Sequence, residues 1–202
     1  MNSDQKILKV AIELVQALNK QADNMLPAEI ADVVKTHSML AVGAAWVPVP
    51  GADIAAAAAT IWGMYARINK KIGLPFSENL LKSIASGVAT NLASYAVGMG
   101  AASLLKFIPG IGTIGSAIAM SGVIYACTLV SGYVYLKALL LLAKKGNGNI
   151  SSANLSDAIK EVLKDQSTIK NLMNEAKGDY KDRKSTRLNS SHIGSSRMPS
   201  SA

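Results

Sequence analysis

Histidine, cysteine and acidic side chains are the usual carriers of catalysis and metal binding, and the apolar middle of this chain offers few of them. The 202 residues include one cysteine, Cys127, and two histidines. A metal site needs several convergent ligands, and a Ser-His-Asp hydrolase would have to use His37 without a nucleophile-elbow motif. His37 is more simply a residue at a helix boundary, and Cys127 a small buried hydrophobic residue. We therefore predict no catalytic residue and no metal ligand.

One glycine pattern resembles a cofactor site. The stretch from Gly110 to Gly115 matches GxGxxG. Pro109 precedes it, however, and no acidic residue follows at about 20 positions to hold a ribose. The chain also lacks the GxxxxGKS or GxxxxGKT phosphate loop. The pattern favours a turn that enters a close-packed helix, so neither a cofactor nor a bound nucleotide is expected.

Asp53 is the one acidic residue in the apolar middle, directly after Pro50-Gly51-Ala52. Its carboxylate can accept N–H bonds at the start of the following helix, which explains it without a function. A polar contact with a partner or an ion at the turn is the alternative. The two proline-glycine turns supply the candidate structural or partner-contact residues: Pro48, Pro50, Gly51, Asp53, Pro109, Gly110 and Gly112.

Hydrophobic periodicity and the prolines divide the chain into helices. Residues 1–37 are predicted to form amphipathic helices, 38–145 an apolar helical core domain, and 146–181 short C-terminal amphipathic helices. Proline cannot continue a helix, so the chain must turn at both proline-glycine segments. The predicted fold class is all-α, with helical hairpins, Pro-Gly turns and a central close-packed apolar hairpin inserted into a membrane.

The length of the uncharged segments suggests membrane insertion. A bilayer core of about 30 Å needs roughly 20 apolar residues in a helix. Residues 83–105 and 113–136 are long enough and uncharged, whereas Ile54–Ala66 is too short. A hairpin of the two long segments is therefore predicted. A soluble bundle whose central hairpin is buried by the amphipathic helices explains the same pattern, and periodicity does not separate the two.

The basic residues support an orientation. A hairpin of residues 83–136 places seven of them on one side: Arg67, Lys70, Lys71, Lys82, Lys137, Lys144 and Lys145. Lys106 alone lies on the other. This bias follows the positive-inside rule and predicts cytoplasmic termini. The cluster suits anionic phospholipid. Nucleic acid is not expected, since no aromatic stacking pattern accompanies the charges.

Small residues recur at every fourth position of the predicted hairpin, so that one ridge of each helix is nearly bare of side chain. The candidate helix-packing residues are Ser86, Thr90, Ser94, Gly98, Ala102, Gly115, Ala119, Gly122 and Ala126. Backbones can approach closely along such ridges. They suit packing within the chain or in a homo-oligomer, and the sequence leaves the oligomeric state open.

The final segment, residues 182–202, changes character abruptly to DRKSTRLNSSHIGSSRMPSSA. It is rich in serine and arginine, has no apolar period, and resembles translated sequencing-adapter sequence. We predict a non-native, disordered tail and exclude it from fold reasoning. A native disordered tail is the alternative. Its exclusion leaves His37 as the only histidine of the body.

Two stretches resemble a known family: AAWVPVPGADIAAAAATIWGMYARINKKIGLPFSENLLKSI, and LLKFIPGIGTIGSAIAMSGVIYACTLVSGYVYLKAL. Together, from Leu40 to Leu142, they are similar to the bacterial domain of unknown function 697, a helical membrane domain found alone or behind small GTPase domains, as in YcjF-type inner-membrane proteins. The resemblance implies a membrane-associated helical module coupled to a GTPase. No GTPase domain precedes it here, so such a partner would be a separate protein. The family provides no catalytic residues.

These observations lead to two hypotheses from different classes. The first is a helical interaction module of the bacterial inner membrane, coupled to a separate GTPase. The second is a soluble helical bundle that inserts its central hairpin into membranes in a pore-like state. An enzyme is disfavoured.

Overall fold

A computed structural model describes residues 1–18, 25–43, 52–98 and 114–195, with side chains for 1–18, 25–43, 55–96 and 121–183. Seven α-helices lie within these ranges, and the all-α prediction is confirmed. They are α1 (Ser3–Ala17), α2 (Leu26–Ala41), α3 (Ala52–Ile72), α4 (Glu78–Gly98), α5 (Ile114–Lys145), α6 (Leu155–Leu163) and α7 (Gln166–Ser195). A short 3-10 helix, Ser152–Asn154, precedes α6.

The two N-terminal helices begin at residues suited to a helix start. Asn2 caps α1: its side chain accepts the N–H of Gln5 at 2.9 Å, and the Gln5 side chain accepts the N–H of Asn2 at 2.9 Å. This reciprocal pair satisfies two backbone N–H groups that have no carbonyl partner within the helix. α2 carries Pro27 in its first turn, where no intrahelical donor is needed.

The connection from α3 to α4 follows local signals in the sequence. Gly73 ends α3 with a φ of 73°, a left-handed conformation that glycine adopts without steric cost. The N–H of Leu74 closes the end on the carbonyl of Asn69 at 3.0 Å. Ser77 caps α4 by accepting the N–H of Leu80 at 3.3 Å.

α5 is the centre of the fold. It contacts each of the other six helices, and most of its described side chains are buried. α4 also contacts α5 but packs chiefly on α3, with Ser83, Ser86 and Asn91 exposed. Within the predicted apolar hairpin, α5 is therefore the central helix and α4 lies towards the surface, because α4 exposes polar groups on one face.

The structure also bears on the question of membrane spans. Among the described residues one stretch, Ser121–Lys145, is long and apolar enough to cross a bilayer, with a mean hydropathy of 1.7. Of the 18-residue segment of this stretch that meets the criterion, 83% is buried inside the folded chain. The core helix of a soluble protein has the same length and composition.

The helices share one core. One cluster of buried apolar residues includes side chains from all seven helices, from Ile7 of α1 to Ala176 of α7. The predicted boundary between residues 37 and 38 falls inside α2, and the N-terminal helices share this core with the apolar helices. The amphipathic helices at both ends bury their apolar faces on α5.

The structure describes the first part of the predicted tail, residues 182–195, as the end of a helix. α7 continues without a break from Gln166 to Ser195. No proline occurs in the sequence between Pro109 and Pro199 to stop the helix. Arg183, the second tail residue, makes an ion pair with Asp4 of α1. The non-native origin of this segment stays a prediction.

Candidate interaction surfaces

A pair of tyrosines fixes α3 against α5. The rings of Tyr65 and Tyr135 stack with centroids 4.0 Å apart and planes 12° apart, and both residues are fully buried. The Tyr135 hydroxyl donates to Oδ1 of Asn69 at 2.5 Å, and that of Tyr65 donates to the carbonyl of Ser131 at 3.2 Å. The two contacts join residues four apart on each helix in the same order, so α3 and α5 run parallel. Tyr135 had no signal in the sequence beyond its apolar surroundings.

Five polar side chains of α5 share one face of the helix. They recur at intervals of three or four residues: Ser121, Tyr125, Thr128, Ser131 and Tyr135. The Tyr125 hydroxyl, Thr128 Oγ1 and, on α3, Asn69 Nδ2 are buried without a hydrogen-bond partner among the described residues. A buried polar group without a partner costs roughly 1–3 kcal/mol. The most apolar helix therefore carries a polar face inside the bundle.

His37 lies in the last turn of α2 and is buried, with 5% of its surface exposed. Its Nδ1 lies 2.8 Å from the carbonyl of Val33, and a Cβ placed on Gly63 would lie 3.8 Å from its Nε2. Burial lowers the pKa of His37; the bond to Val33 opposes the shift, and Arg67 adds to it. The ring fills a space between α2 and α3, as a neutral core side chain would.

Cys127 packs against the core and is partly buried. No group of three or more His, Cys, Asp or Glu side chains that could hold a metal ion occurs among the described residues. The grooves include one of about 460 Å³ beside Glu13, Lys144 and Asn147, and one of about 210 Å³ between α1 and α2. Neither contains His37 or Cys127.

Most of the predicted turn residues lie outside the described residues: Pro48, Pro50, Gly51, Pro109, Gly110 and Gly112. Asp53 is the second residue of α3, in the first helical turn, where a helix-start acid was expected. Its side chain is outside the described set, so neither the capping nor the contact hypothesis is tested.

The predicted packing ridge of α4 lies on the surface. Ser86, Thr90 and Ser94 are exposed, so α4 does not use this ridge to pack within the chain. The physical reason is that Leu81, Ala85, Val88 and Leu92 form the opposite, apolar face, and that face turns inward. Gly98, Ala102, Gly115 and Ala119 lie outside the described side chains.

On α5, Gly122 and Ala126 are buried, and Gly122 lies against Tyr180 of α7. A Cβ on Gly122 would lie 3.5 Å from Cδ1 of Tyr180. A closer contact that the sequence analysis missed is at Gly132, where a Cβ would lie 2.5 Å from Cγ1 of Val34. The sequence did contain a signal for this contact, because Thr128 and Gly132 show the same four-residue spacing of small residues as the predicted packing ridges.

The predicted basic cluster is partly paired within the chain. Lys71 makes an ion pair with Glu29, Lys82 lies 3.6 Å from Glu78, and Lys145 lies 3.1 Å from Glu161. The Nζ of Lys82 also lies 4.6 Å from the ring centroid of Trp62. Arg67, Lys70 and Lys144 are exposed, and Lys137 is half-buried.

The chain is similar to a known membrane protein. It is 36% identical over 107 residues to Magnetosome membrane protein 22 of Magnetospirillum gryphiswaldense. The aligned residues make up 52% of this chain and 55% of that relative. The chain thus matches about half the length of the relative. No protein-family model matches the chain, and no solved structure matches it.

Proposed function

We propose that this protein is a non-catalytic helical module that associates with a bacterial membrane and acts there as an interaction partner. The observation that carries the proposal is the similarity over 107 residues to a magnetosome membrane protein. The large uncharged part of α3, α4 and α5 supports it, because water-exposed helices ordinarily carry charge on their outer faces.

Membrane fractionation tests the proposal. Cells that produce the full chain are lysed, and the membranes are washed with high salt and then with alkaline carbonate. We expect the protein to remain in the membrane pellet and to need detergent for release. Recovery of all the protein in the first soluble fraction would contradict membrane association. Release by salt or carbonate alone would contradict stable insertion but not surface binding.

The second candidate is a bundle that opens and inserts α5 into the bilayer. Two observations favour it: Ser121–Lys145 has the length of a membrane span, and its polar face contains buried groups without partners among the described residues. Such a face suits the lining of a water-filled path better than a lipid contact. Leakage of a small dye from vesicles upon addition of the protein would favour this candidate, and tight vesicles would speak against it.

A separate GTPase is the partner that the family resemblance implies, with the bacterial inner membrane as the location and cytoplasmic termini. Affinity purification in detergent tests the partner. Recovery of a GTPase that is absent from an unrelated membrane-protein control would support it. A preparation without such a GTPase would count against it and would leave membrane association in place.

A further inference from the structure

The paired helices α3 and α4 present an unusual surface. Their exposed residues at positions 55–66 and 83–96 form what we call the α3–α4 face: Ala55, Ala59, Ser83, Ser86, Gly87, Thr90, Asn91 and Ser94. The sequence contains no charged residue from Ile54 to Ala66 or from Ser83 to Gly98. The face is therefore uncharged over about 20 Å along each helix.

Other parts of the surface are different. The exposed residues of α6, of α7 and of the turn between them include charges of both signs, such as Asp157, Lys160, Lys164, Asp165 and Lys170. Mixed charge is the ordinary solution for a helix face in water. The absence of charge is thus a local property of α3 and α4. It indicates that this face contacts something other than bulk water.

Two hydroxyl groups of the face donate to carbonyls of the preceding helical turn. Thr90 Oγ1 donates to the carbonyl of Ser86 at 2.9 Å, and Ser94 Oγ donates to the carbonyl of Thr90 at 3.0 Å. On α3, Thr60 Oγ1 donates to the carbonyl of Ala56 at 2.9 Å. Such bonds to the preceding turn reduce the number of donors that need water, which lowers the cost of moving this part of the surface out of water.

One edge of the face carries cations and an aromatic ring. Arg67 and Lys70 follow the neutral part of α3, and both are exposed. Lys82, at the start of α4, reaches over the ring of Trp62. Tryptophan and long basic side chains characterise the headgroup level of a bilayer, where the ring lies at the boundary and the charge remains in water.

From these observations we infer that the α3–α4 face is the surface that contacts an anionic bilayer, with Trp62 and the cations at the level of the headgroups. The inference rests on the proposed membrane association and specifies its surface. Anionic phospholipid is the occupant that matches the cationic edge, because the negative headgroups attract Lys and Arg side chains near the surface. A second copy of the chain is the competing occupant, and it would bring the same cations together.

Site-specific labels test the orientation. In a Cys127→Ala background, an environment-sensitive dye is attached to Ser86→Cys or Thr90→Cys on the face. Matched labels are attached to Asn171→Cys or Asn174→Cys, which are exposed positions of α7. Vesicles of phosphatidylcholine with phosphatidylglycerol are then added. We expect a blue shift, and quenching by spin-labelled lipid, at the two α4 positions only.

Two results would overturn the inference. In the first, the α7 labels shift on vesicles and the α4 labels stay in water. In the second, the α4 labels are protected without lipid and in proportion to protein concentration, which would assign the face to a second copy. If the unlabelled protein fails to bind vesicles at all, the proposed function itself is contradicted, so the two failures are distinguishable.

A charge-reversal pair provides an independent test. The variant R67E/K70E changes the cationic edge, and K164E/K170E makes the same change of net charge on α6–α7. We expect the first variant to bind anionic vesicles about ten-fold more weakly, or worse, and the second to bind nearly as the unchanged protein does. Equal weakening would show that net charge alone drives binding and would contradict the assigned face. Circular dichroism checks that both variants keep their helices.

Discussion

Gly132 of α5 lies directly against Val34 of α2. A Cβ at position 132 would lie 2.5 Å from Cγ1 of Val34 and 3.3 Å from Sδ of Met64, so the two helices can approach only because this residue has no side chain. Both neighbours are buried in the core. The contact sets the distance between the central helix and α2.

We therefore expect Gly132→Ala to destabilise the bundle by about 1–3 kcal/mol, the usual cost of forcing extra volume into a packed core. Chemical denaturation measures the free energy of unfolding. Gly87→Ala is the matched control, because Gly87 is exposed on α4 with nothing within 4 Å of its added Cβ. It should be neutral or stabilising by up to about 1 kcal/mol. A harmless Gly132→Ala would contradict the contact, and partial rescue by Val34→Ala would support it.

Local signals made the helix ends predictable, whereas the position of α5 was not. Gly73 and Ser77 act through their own conformation and hydroxyl, so their roles can be read from neighbouring residues alone. An apolar helix, in contrast, has the same composition whether lipid or six other helices surround it. The small residues pose the same difficulty. Ser86 and Gly132 each have another small residue four positions away, and only the three-dimensional packing decides that Ser86 is exposed and Gly132 buried.

The bond between Tyr135 and Asn69 allows a second prediction. Tyr135→Phe removes the donor and leaves Asn69 buried with a further unsatisfied atom, since its Nδ2 already lacks a partner among the described residues. We expect a loss of about 1–3 kcal/mol in the free energy of unfolding, with the ring stack on Tyr65 retained.

A double-mutant cycle tests whether this loss belongs to the pair. Asn69→Leu removes the acceptor, so Tyr135→Phe should cost clearly less in that background than in the unchanged protein. Identical costs in the two backgrounds would show that the hydroxyl and the amide are not coupled.

An ion pair joins the first turns of α1 to α7. The Lys6 Nζ lies 2.7 Å from both carboxylate oxygens of Glu175, and the two side chains are 27% and 37% exposed. Partly exposed pairs contribute roughly 1 kcal/mol or less. Glu175→Lys places two cations together and should lower the free energy of unfolding by about that amount, more at low salt than at high salt.

The exchanged pair, Lys6→Glu with Glu175→Lys, restores opposite charges at the same positions. It should recover most of the stability that Glu175→Lys loses, measured by denaturation at low ionic strength. If the exchanged variant is as unstable as the sum of the two single variants, then the ion pair does not hold α7 to α1.

Protonation of His37 should destabilise the bundle in mild acid. Burial lowers the pKa of His37 from the ordinary value of 6.5, so the folded protein prefers the neutral ring and the unfolded chain binds the proton more readily. The stability contributed by the neutral ring is present above the unfolded pKa and is lost as the pH falls through the folded pKa. The Nδ1 contact with Val33 opposes the shift, and the nearby charge of Arg67 adds to it.

The free energy of unfolding should therefore decline between about pH 7 and pH 5. That of the His37→Gln variant should decline less steeply, because the variant has no proton to gain at this position. His192→Gln, which removes the other histidine, should keep the slope of the unchanged protein. Parallel slopes for the unchanged protein and His37→Gln would mean that acid acts through other groups.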